Sequence, residues 1–243
     1  MTMQKTKVPK KRLIARVKCK GTSCNVSEKV ILEGVTDCSA AAEMMVDGES
    51  KSCSYGCLGY GSCKEVCPFD AIEIVDGVAN INKDKCKGCR KCVKVCPKEV
   101  IVMVPIDQEV VVDCNNKEMG KPVKEKCKVG CIGCKICVKA CPFWAMEFDN
   151  NLAYINYDKC TNCKICAEKC PTKAITAKLE GKKVAEISEE KCIGCTICER
   201  VCPVVAIEGY REETHRVKTE LCVGCSYCSK MCPMGAIEMK SKA

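Results

Sequence analysis

Cysteine is the residue whose number and spacing carry chemistry in this sequence. The chain has 29 cysteines among 243 residues. Six of them are followed by proline in the frame Cys-Pro-x-x-[AV]-[IM], and five of these frames are preceded by Cys-x2-Cys-x2-Cys-x3. Three thiolates at this spacing hold one four-iron, four-sulfur cubane, while the proline-linked cysteine ligates the other cubane of a pair. The spacing therefore predicts iron-sulfur ligation.

Reciprocal ligation assigns 24 cysteines to six [4Fe-4S] clusters. The first motif is a stretched version of the run, with three and five residues between its first three cysteines instead of two. The predicted sets are Cys53, Cys57, Cys63 with Cys96; Cys86, Cys89, Cys92 with Cys67; Cys131, Cys134, Cys137 with Cys170; Cys160, Cys163, Cys166 with Cys141; Cys192, Cys195, Cys198 with Cys232; and Cys222, Cys225, Cys228 with Cys202.

Five cysteines lie outside the six predicted sets: Cys19, Cys24, Cys38, Cys114 and Cys127. Two interpretations stay open for them. They are buried or partly exposed thiols near the clusters, or some of them form an additional metal site, with Cys127 as an alternative ligand just ahead of the Cys131 motif.

Two other chemistries of cysteine fit the pattern less well. Structural zinc is bound by two separated Cys-x2-Cys pairs, whereas three cysteines at i, i+3 and i+6 leave an odd ligand for a tetrahedral ion. Disulfide scaffolds belong to short secreted chains, and the N-terminal residues carry charge without the apolar segment of a signal peptide. We therefore expect the cysteines to be reduced. The protein is expected in an anaerobic cytoplasm or bound peripherally to a membrane.

The residues around each cysteine run are suited to a tight loop. The residue before the second cysteine is Gly88, Gly133, Asn162, Gly194 or Gly224, all types that tolerate a positive φ. The proline after the last cysteine lacks a backbone donor and ends the short helical turn that carries the ligand.

The motifs are grouped in pairs along the chain. Successive Cys-Pro cysteines are separated by 29, 45, 29, 32 and 30 positions, which predicts three two-cluster modules over 51–113, 114–177 and 178–243 after a leader over 1–50. Alternating apolar residues flank Asp76-Gly77 and Asn150-Asn151, a pattern typical of hairpins. A longer hairpin is expected in the third module, and another around Gly181. The fold class is α+β, with tandem ferredoxin-like modules and little regular secondary structure.

The charge balance and the lengths of the apolar segments argue against two other classes, nucleic-acid-binding proteins and membrane-spanning proteins. The 40 basic and 31 acidic residues give a net charge of +9, but six clusters of about −2 each would bring it to about −3. The lysines are therefore interpreted as balancing clusters rather than binding nucleic acid. No apolar window is long enough to span a membrane.

Beyond the spacing, specific strings resemble one family. The segments Cys53-SYG-Cys57-LGYGS-Cys63-KEV-Cys67-PF and Cys127-KVG-Cys131-IG-Cys134-KI-Cys137-VKA-Cys141-P are similar to the long form of the B subunit of the Rnf complex, a membrane-bound, ion-translocating ferredoxin:NAD oxidoreductase. The resemblance runs from about Ala15 to Ala177 and includes the leader. It does not cover the third module, and the family's membrane anchor is not seen ahead of the leader. The resemblance implies a multi-cluster relay that accepts electrons from reduced ferredoxin.

The leading functional prediction is a non-catalytic electron-transfer subunit that works between ferredoxin and a flavoprotein or dehydrogenase subunit in a hetero-oligomeric complex. Alternatives are a peripheral subunit of the Rnf complex itself, an enzyme in its own right, and a cluster-stabilised scaffold without a redox role. His215, the only histidine, is expected to be solvated. The loop Leu58 to Ser62 either exposes its cluster to ferredoxin or forms a longer wall.

Overall fold

The computed structural model describes residues 12–26, 32–45, 53–177 and 183–241. These residues form two compact units. The first contains the described residues up to Gln108 together with Asp113–Ile132, and the second contains Glu109–Val112 and the described residues from Gly133 onward. No helix in the described ranges is long and apolar enough to cross a bilayer.

The helices in the described residues are short, and six of the eight contain one cysteine of the predicted ligand sets. They are α1 (Cys38–Met44), α2 (Ser62–Glu65), α3 (Lys91–Val95), α4 (Lys121–Lys126), α5 (Ile136–Ala140), α6 (Ile165–Glu168), α7 (Ile197–Arg200) and α8 (Tyr227–Met231). Of these described helices, only α1 is capped by a side chain, since Asp37 Oδ1 accepts hydrogen bonds from the backbone N–H groups of Ser39 and Ala40.

Twelve strands lie in the described residues. They are β1 (Leu13–Val17), β2 (Ile72–Val75), β3 (Val78–Ile81), β4 (Ile101–Pro105), β5 (Val111–Val112), β6 (Met146–Asp149), β7 (Leu152–Ile155), β8 (Ile175–Thr176), β9 (Lys183–Ile187), β10 (Ile207–Glu208), β11 (Arg216–Val217) and β12 (Ile237–Ser241). These twelve pair antiparallel and two by two, so each sheet they form has two strands.

The strand pairs repeat one arrangement three times. An inner hairpin (β2 with β3, β6 with β7, β10 with β11) is accompanied by an outer pair (β1 with β4, β5 with β8, β9 with β12). In the first unit the outer pair runs from Leu13 opposite Pro105 to Val17 opposite Ile101. A strand of the predicted leader therefore completes the sheet pattern of the first two motifs.

The hairpin predictions are confirmed at both tight turns. Asp76 and Gly77 have φ of 47° and 69°, and Asn150 and Asn151 have φ of 46° and 61°, as a two-residue turn between twisted strands requires. The expected hairpin around Gly181 is wrong. Its turn lies outside the described residues, and the strands on either side, β8 and β9, pair with β5 and β12 instead of each other.

Cysteines take part in the buried core. In the second unit, Cys198 and Cys228 lie in one buried cluster with Ala185, Ile207 and Ile237. Since the chain has only ten aromatic residues, cluster ligands and aliphatic strand residues share the interior that larger side chains would otherwise fill.

Candidate metal centres

The backbone of the cysteine runs is wound tightly around each candidate centre. The residue before the second cysteine has positive φ in all five regular runs, from 60° at Asn162 to 72° at Gly88, which confirms the prediction. The residue after the second cysteine is also left-handed, although none is glycine: Arg90, Lys135, Lys164, Thr196 and Ser226. Such conformations are costly for these residue types, and sequence alone did not reveal them.

One cavity of the first unit joins cysteines from two motifs. Cys86, Cys89 and Cys92 line it together with Cys67, the proline-linked cysteine of the preceding motif. The space between the lining atoms is about 330 Å³. This grouping is the one that reciprocal ligation requires.

A cavity of the second unit repeats the arrangement. Cys192, Cys195 and Cys198 line it with Cys232 of the following motif, and its space is also about 330 Å³. Isoleucine, methionine and alanine side chains supply most of the remaining wall together with His215, so the wall is largely apolar.

Two further groups of cysteines in the second unit lie close enough together for neighbouring thiols to raise one another's pKa, in addition to the larger effect of burial. Cys163 interacts with Cys160 and with Cys141 of the preceding motif. Cys225 interacts with Cys222 and with Cys202. Both groups again combine one run with the proline-linked cysteine of its partner.

The alanine in the repeated frame has a direct role at the thiols. The backbone N–H of Ala145 donates to Cys141 Sγ at 3.3 Å, that of Ala206 to Cys202 Sγ at 3.2 Å, and that of Ala236 to Cys232 Sγ at 3.4 Å. These alanines are at most 2% exposed. Hydrogen bonds to ligand sulfurs tune the potential of a bound cluster, which gives the frame a chemical reason beyond turn formation.

The stretched first motif is arranged differently from the prediction. Cys63 interacts electrostatically with Cys57 and Cys96, as expected, and also with Cys38. Cys53 instead lines a separate cavity of the first unit with Cys19, Cys114 and Cys127. Its predicted partners Cys57, Cys63 and Cys96 do not line that cavity.

The predicted set of Cys131, Cys134, Cys137 and Cys170 is divided between the two units. Cys131 belongs to the first unit, where its N–H donates to Cys114 Sγ at 3.2 Å. In the second unit, Cys134 is exposed and Cys137 is buried, and Cys170 Sγ lies 3.8 Å from Thr172 Oγ1. This set stays a prediction.

Burial controls the protonation of the ligand thiols. Burial, with a smaller contribution from neighbouring thiols, raises the pKa of Cys63 and of Cys166 to about 12. A buried thiol of this kind ionises readily only beside a cation. Among the described residues, no three His, Cys, Asp or Glu side chains converge on a single metal ion; the thiols described above surround cavities instead.

The expectation for His215 is wrong, and the packing favours one of the two alternatives left open for the loop Leu58 to Ser62. His215 is only 1% exposed, not solvated, because its ring packs against Gly209, where a Cβ atom would lie 2.7 Å from Cγ of the imidazole. The loop Leu58 to Ser62 is covered: Leu58 packs with residues of α1, and a Cβ on Gly59 would lie 2.5 Å from the Gly77 carbonyl oxygen. The loop therefore forms a wall.

Family models match most of the motif-bearing chain. Models described as a 4Fe-4S dicluster domain match residues 130–175, 153–208 and 185–239, and a 4Fe-4S binding domain matches 78–101. The chain therefore contains tandem ferredoxin-type domains that bind several [4Fe-4S] clusters.

Curated relatives share 39–44% identity with the chain. The B subunit of the Na(+)-translocating ferredoxin:NAD(+) oxidoreductase complex of Acetobacterium woodii is 44% identical over 174 residues, which is 71% of this chain and 52% of the relative. The B subunit of the proton-translocating complex of Clostridium ljungdahlii is 44% identical over 148 residues, 60% of this chain and 51% of the relative. The B subunit of the ion-translocating oxidoreductase complex of Methanosarcina acetivorans is 39% identical over 160 residues, which is 65% of this chain and 60% of the relative.

The chain thus spans about half the length of the first two relatives. Among solved structures, a chain of the formate dehydrogenase, heterodisulfide reductase and formylmethanofuran dehydrogenase complex of Methanospirillum hungatei aligns with a TM-score of 0.32 and 23% identity, over 76% of this chain and 78% of that one. The protein is an iron-sulfur electron-transfer protein built from tandem 4Fe-4S ferredoxin domains, and it is related in sequence to the B subunits of ion-translocating Rnf complexes.

Proposed function

We propose that the chain is the electron-relay subunit of a larger oxidoreductase and carries single electrons between ferredoxin and a second redox protein. The observation that carries this proposal is the contact between Cys163 and Cys225 in the second unit, which lie in one buried cluster with Ile165. These cysteines belong to the fourth and sixth motifs. Two ligand sets of successive modules therefore approach each other without solvent between them, as a relay needs.

The ligand sets of the first unit approach each other in the same way. Cys63 interacts electrostatically with Cys92 in addition to its own neighbours. When bound, a [4Fe-4S] cluster supplies a centre that accepts and donates one electron. The chain's own residues hold the thiols, donate N–H groups to them and exclude water.

Ferredoxin is the proposed donor or acceptor because the relatives with 44% identity are subunits of ferredoxin:NAD(+) oxidoreductase complexes. The second partner is proposed to be a flavoprotein or dehydrogenase subunit. The relay is proposed to need no catalytic side chain of its own.

Rapid mixing of the anaerobically purified chain with reduced ferredoxin tests the proposal. We expect bleaching of the cluster absorbance and the appearance of paramagnetic signals from reduced clusters. Clusters that are present but accept no electron from ferredoxin or from a low-potential chemical reductant would favour the scaffold alternative.

Membership of the ion-translocating complex itself is the second candidate function, and the curated relatives favour it. It predicts that the chain is recovered with membrane subunits when membranes are isolated under anoxia. Recovery with a flavoprotein or dehydrogenase that lacks membrane subunits would favour a relay in another oxidoreductase.

A further inference from the structure

Two segments outside the ferredoxin pattern come together in the first unit. They are residues 18–26, after β1, and residues 113–130, which occupy the long gap between the second and third motifs. Val26 forms a β-bridge with Cys127, and the Lys128 N–H donates to the Asn25 carbonyl oxygen at 2.9 Å. Their junction is a specific backbone contact.

The junction encloses a cavity lined by four thiols. Cys19 and Cys53 come from the leader and the first motif, and Cys114 and Cys127 from the long gap. The space between the lining atoms is about 400 Å³, against about 330 Å³ for each cavity lined by a ferredoxin-type set. The new cavity is thus of the same size class and has the same number of thiols.

Three of these four thiols accept hydrogen bonds from N–H groups, as the proline-linked thiols of the repeated motifs do, although the donors differ. Cys19 Sγ accepts from the backbone N–H groups of Gly21 and Cys57, both at 3.3 Å. Cys114 Sγ accepts from the Cys131 N–H at 3.2 Å, and Cys53 Sγ accepts from Asn116 Nδ2 at 3.4 Å. N–H donors aimed at sulfur stabilise thiolate ligands.

Charged side chains beside the cavity suit an anionic occupant. Lys18 and Lys20 both line it, and they are held by Asn115 Oδ1 at 3.1 Å and by an Asp113 carboxylate oxygen at 3.7 Å. A [4Fe-4S] core with four thiolates carries about −2. The two lysines and the Asp113 carboxylate that pairs with Lys20 leave one net positive charge at the wall, which offsets part of it.

The position of Cys38 explains why Cys53 is available for this cavity. Cys38 is buried and its N–H donates to Ser62 Oγ at 2.7 Å, directly beside Cys63. Cys38 also interacts electrostatically with Cys63. Cys38 can therefore complete the set of Cys57, Cys63 and Cys96 in place of Cys53.

We propose that Cys19, Cys53, Cys114 and Cys127 ligate a seventh [4Fe-4S] cluster, and that Cys38 is the fourth ligand of the cluster held by Cys57, Cys63 and Cys96. Seven sets of four then account for 28 of the 29 cysteines. The remaining one, Cys24, is exposed and lies outside all the thiol-lined cavities described above.

A cubane fits the cavity better than a zinc ion. Zinc binds four sulfurs at about 2.3 Å and would draw them to within about 4 Å of each other. Here the thiols surround a space, which a four-iron core with its bridging sulfides fills.

Native mass spectrometry of the anaerobically purified full chain tests the proposal. Wild type is expected to carry seven clusters, each adding about 350 Da, and Cys114→Ala is expected to carry six. The matched control Cys24→Ala keeps seven. Six clusters in wild type, or an unchanged count in Cys114→Ala, would overturn the proposal while leaving the relay intact, and one zinc ion lost in Cys114→Ala would overturn the cluster assignment.

Alkylation of the thiols released in Cys53→Ala provides a test that does not depend on counting clusters. The proposal predicts that Cys19, Cys114 and Cys127 become modified while Cys57, Cys63 and Cys96 stay protected. The reverse pattern would show that Cys53 belongs to the latter set. Modification of both groups at once would also contradict the proposal, because it assigns Cys53 to one cluster only.

Discussion

Phe143 and Tyr227 pack edge to face in the second unit, with ring centroids 5.9 Å apart and an interplanar angle of 72°. Phe143 follows the Cys141-Pro142 pair of one module, and Tyr227 immediately precedes Cys228 of the next. The contact therefore joins two ligand loops next to the buried pair Cys163 and Cys225.

The aromatic contact is predicted to couple the two loops energetically. Aromatic pairs of this geometry contribute about 0.5–1.5 kcal/mol beyond the area they bury. A double-mutant cycle with Phe143→Ala and Tyr227→Ala, measured by anaerobic denaturant titration, should give a coupling in this range. Trp144→Ala is the control, since Trp144 is 77% exposed and its cycle with Tyr227→Ala should give a value near zero. Equal couplings for the two pairs would contradict the prediction.

Gly88 is predicted to tolerate no side chain. A Cβ atom there would lie 2.3 Å from the Leu13 carbonyl oxygen, and its φ is 72°. Gly235 has a φ of 59° but nothing within 4 Å of a Cβ, so Gly235→Ala should cost only about 1 kcal/mol of backbone strain. Thermal loss of cluster absorbance should therefore occur at a clearly lower temperature in Gly88→Ala than in Gly235→Ala. Similar temperatures would show that the loop moves away from β1 without cost.

If each proline-linked cysteine ligates the cluster of its partner motif, its loss should release the thiols of that partner motif and not those of its own run. In Cys202→Ala, iron should fall by about four atoms per chain, and alkylation followed by mass spectrometry should modify Cys222, Cys225 and Cys228. The thiols of the run that precedes Cys202, namely Cys192, Cys195 and Cys198, should stay protected, since they share a cavity with Cys232. Modification of that preceding run instead would exclude the exchange of fourth ligands.

Acid is predicted to promote loss of iron. Burial raises the pKa of Cys63 and Cys228 to about 12, so these thiols hold their protons at neutral pH when no metal is present. Iron binding must displace those protons, and lowering the pH favours the protonated, metal-free side. Release of iron to a chelator should be several-fold faster at about pH 6 than at about pH 8. A rate independent of pH in this range would argue against ligation by these buried thiols.

Local features of the fold were predictable because they depend on nearest neighbours. The turns at Asp76-Gly77 and Asn150-Asn151 and the positive φ of Gly88 follow from residue type. The left-handed conformation of Arg90 did not, because it is imposed by the winding of the loop and not by the residue's own preference. Likewise, the burial of His215 depends on contacts that its charged sequence neighbours do not indicate.

Long-range pairings were the main features missed from sequence. The short strand β1 gave no sign that it would lie opposite β4, and β9 gave none that it would pair with β12 rather than β8. The spacing rule assigned Cys53 to its nearest motif, although the fold brings it to Cys114 and Cys127, more than sixty positions away. Only the folded chain brings together the leader and the gap between motifs.

Reductive titration of the pure chain under strict anoxia, followed by absorbance and electron paramagnetic resonance, tests the central claim most directly. The account predicts a brown protein that takes up about one electron per cluster at low potential, with spectra of interacting reduced clusters. A colourless, stably folded chain, or a brown one whose clusters stay oxidised throughout the titration, would contradict it.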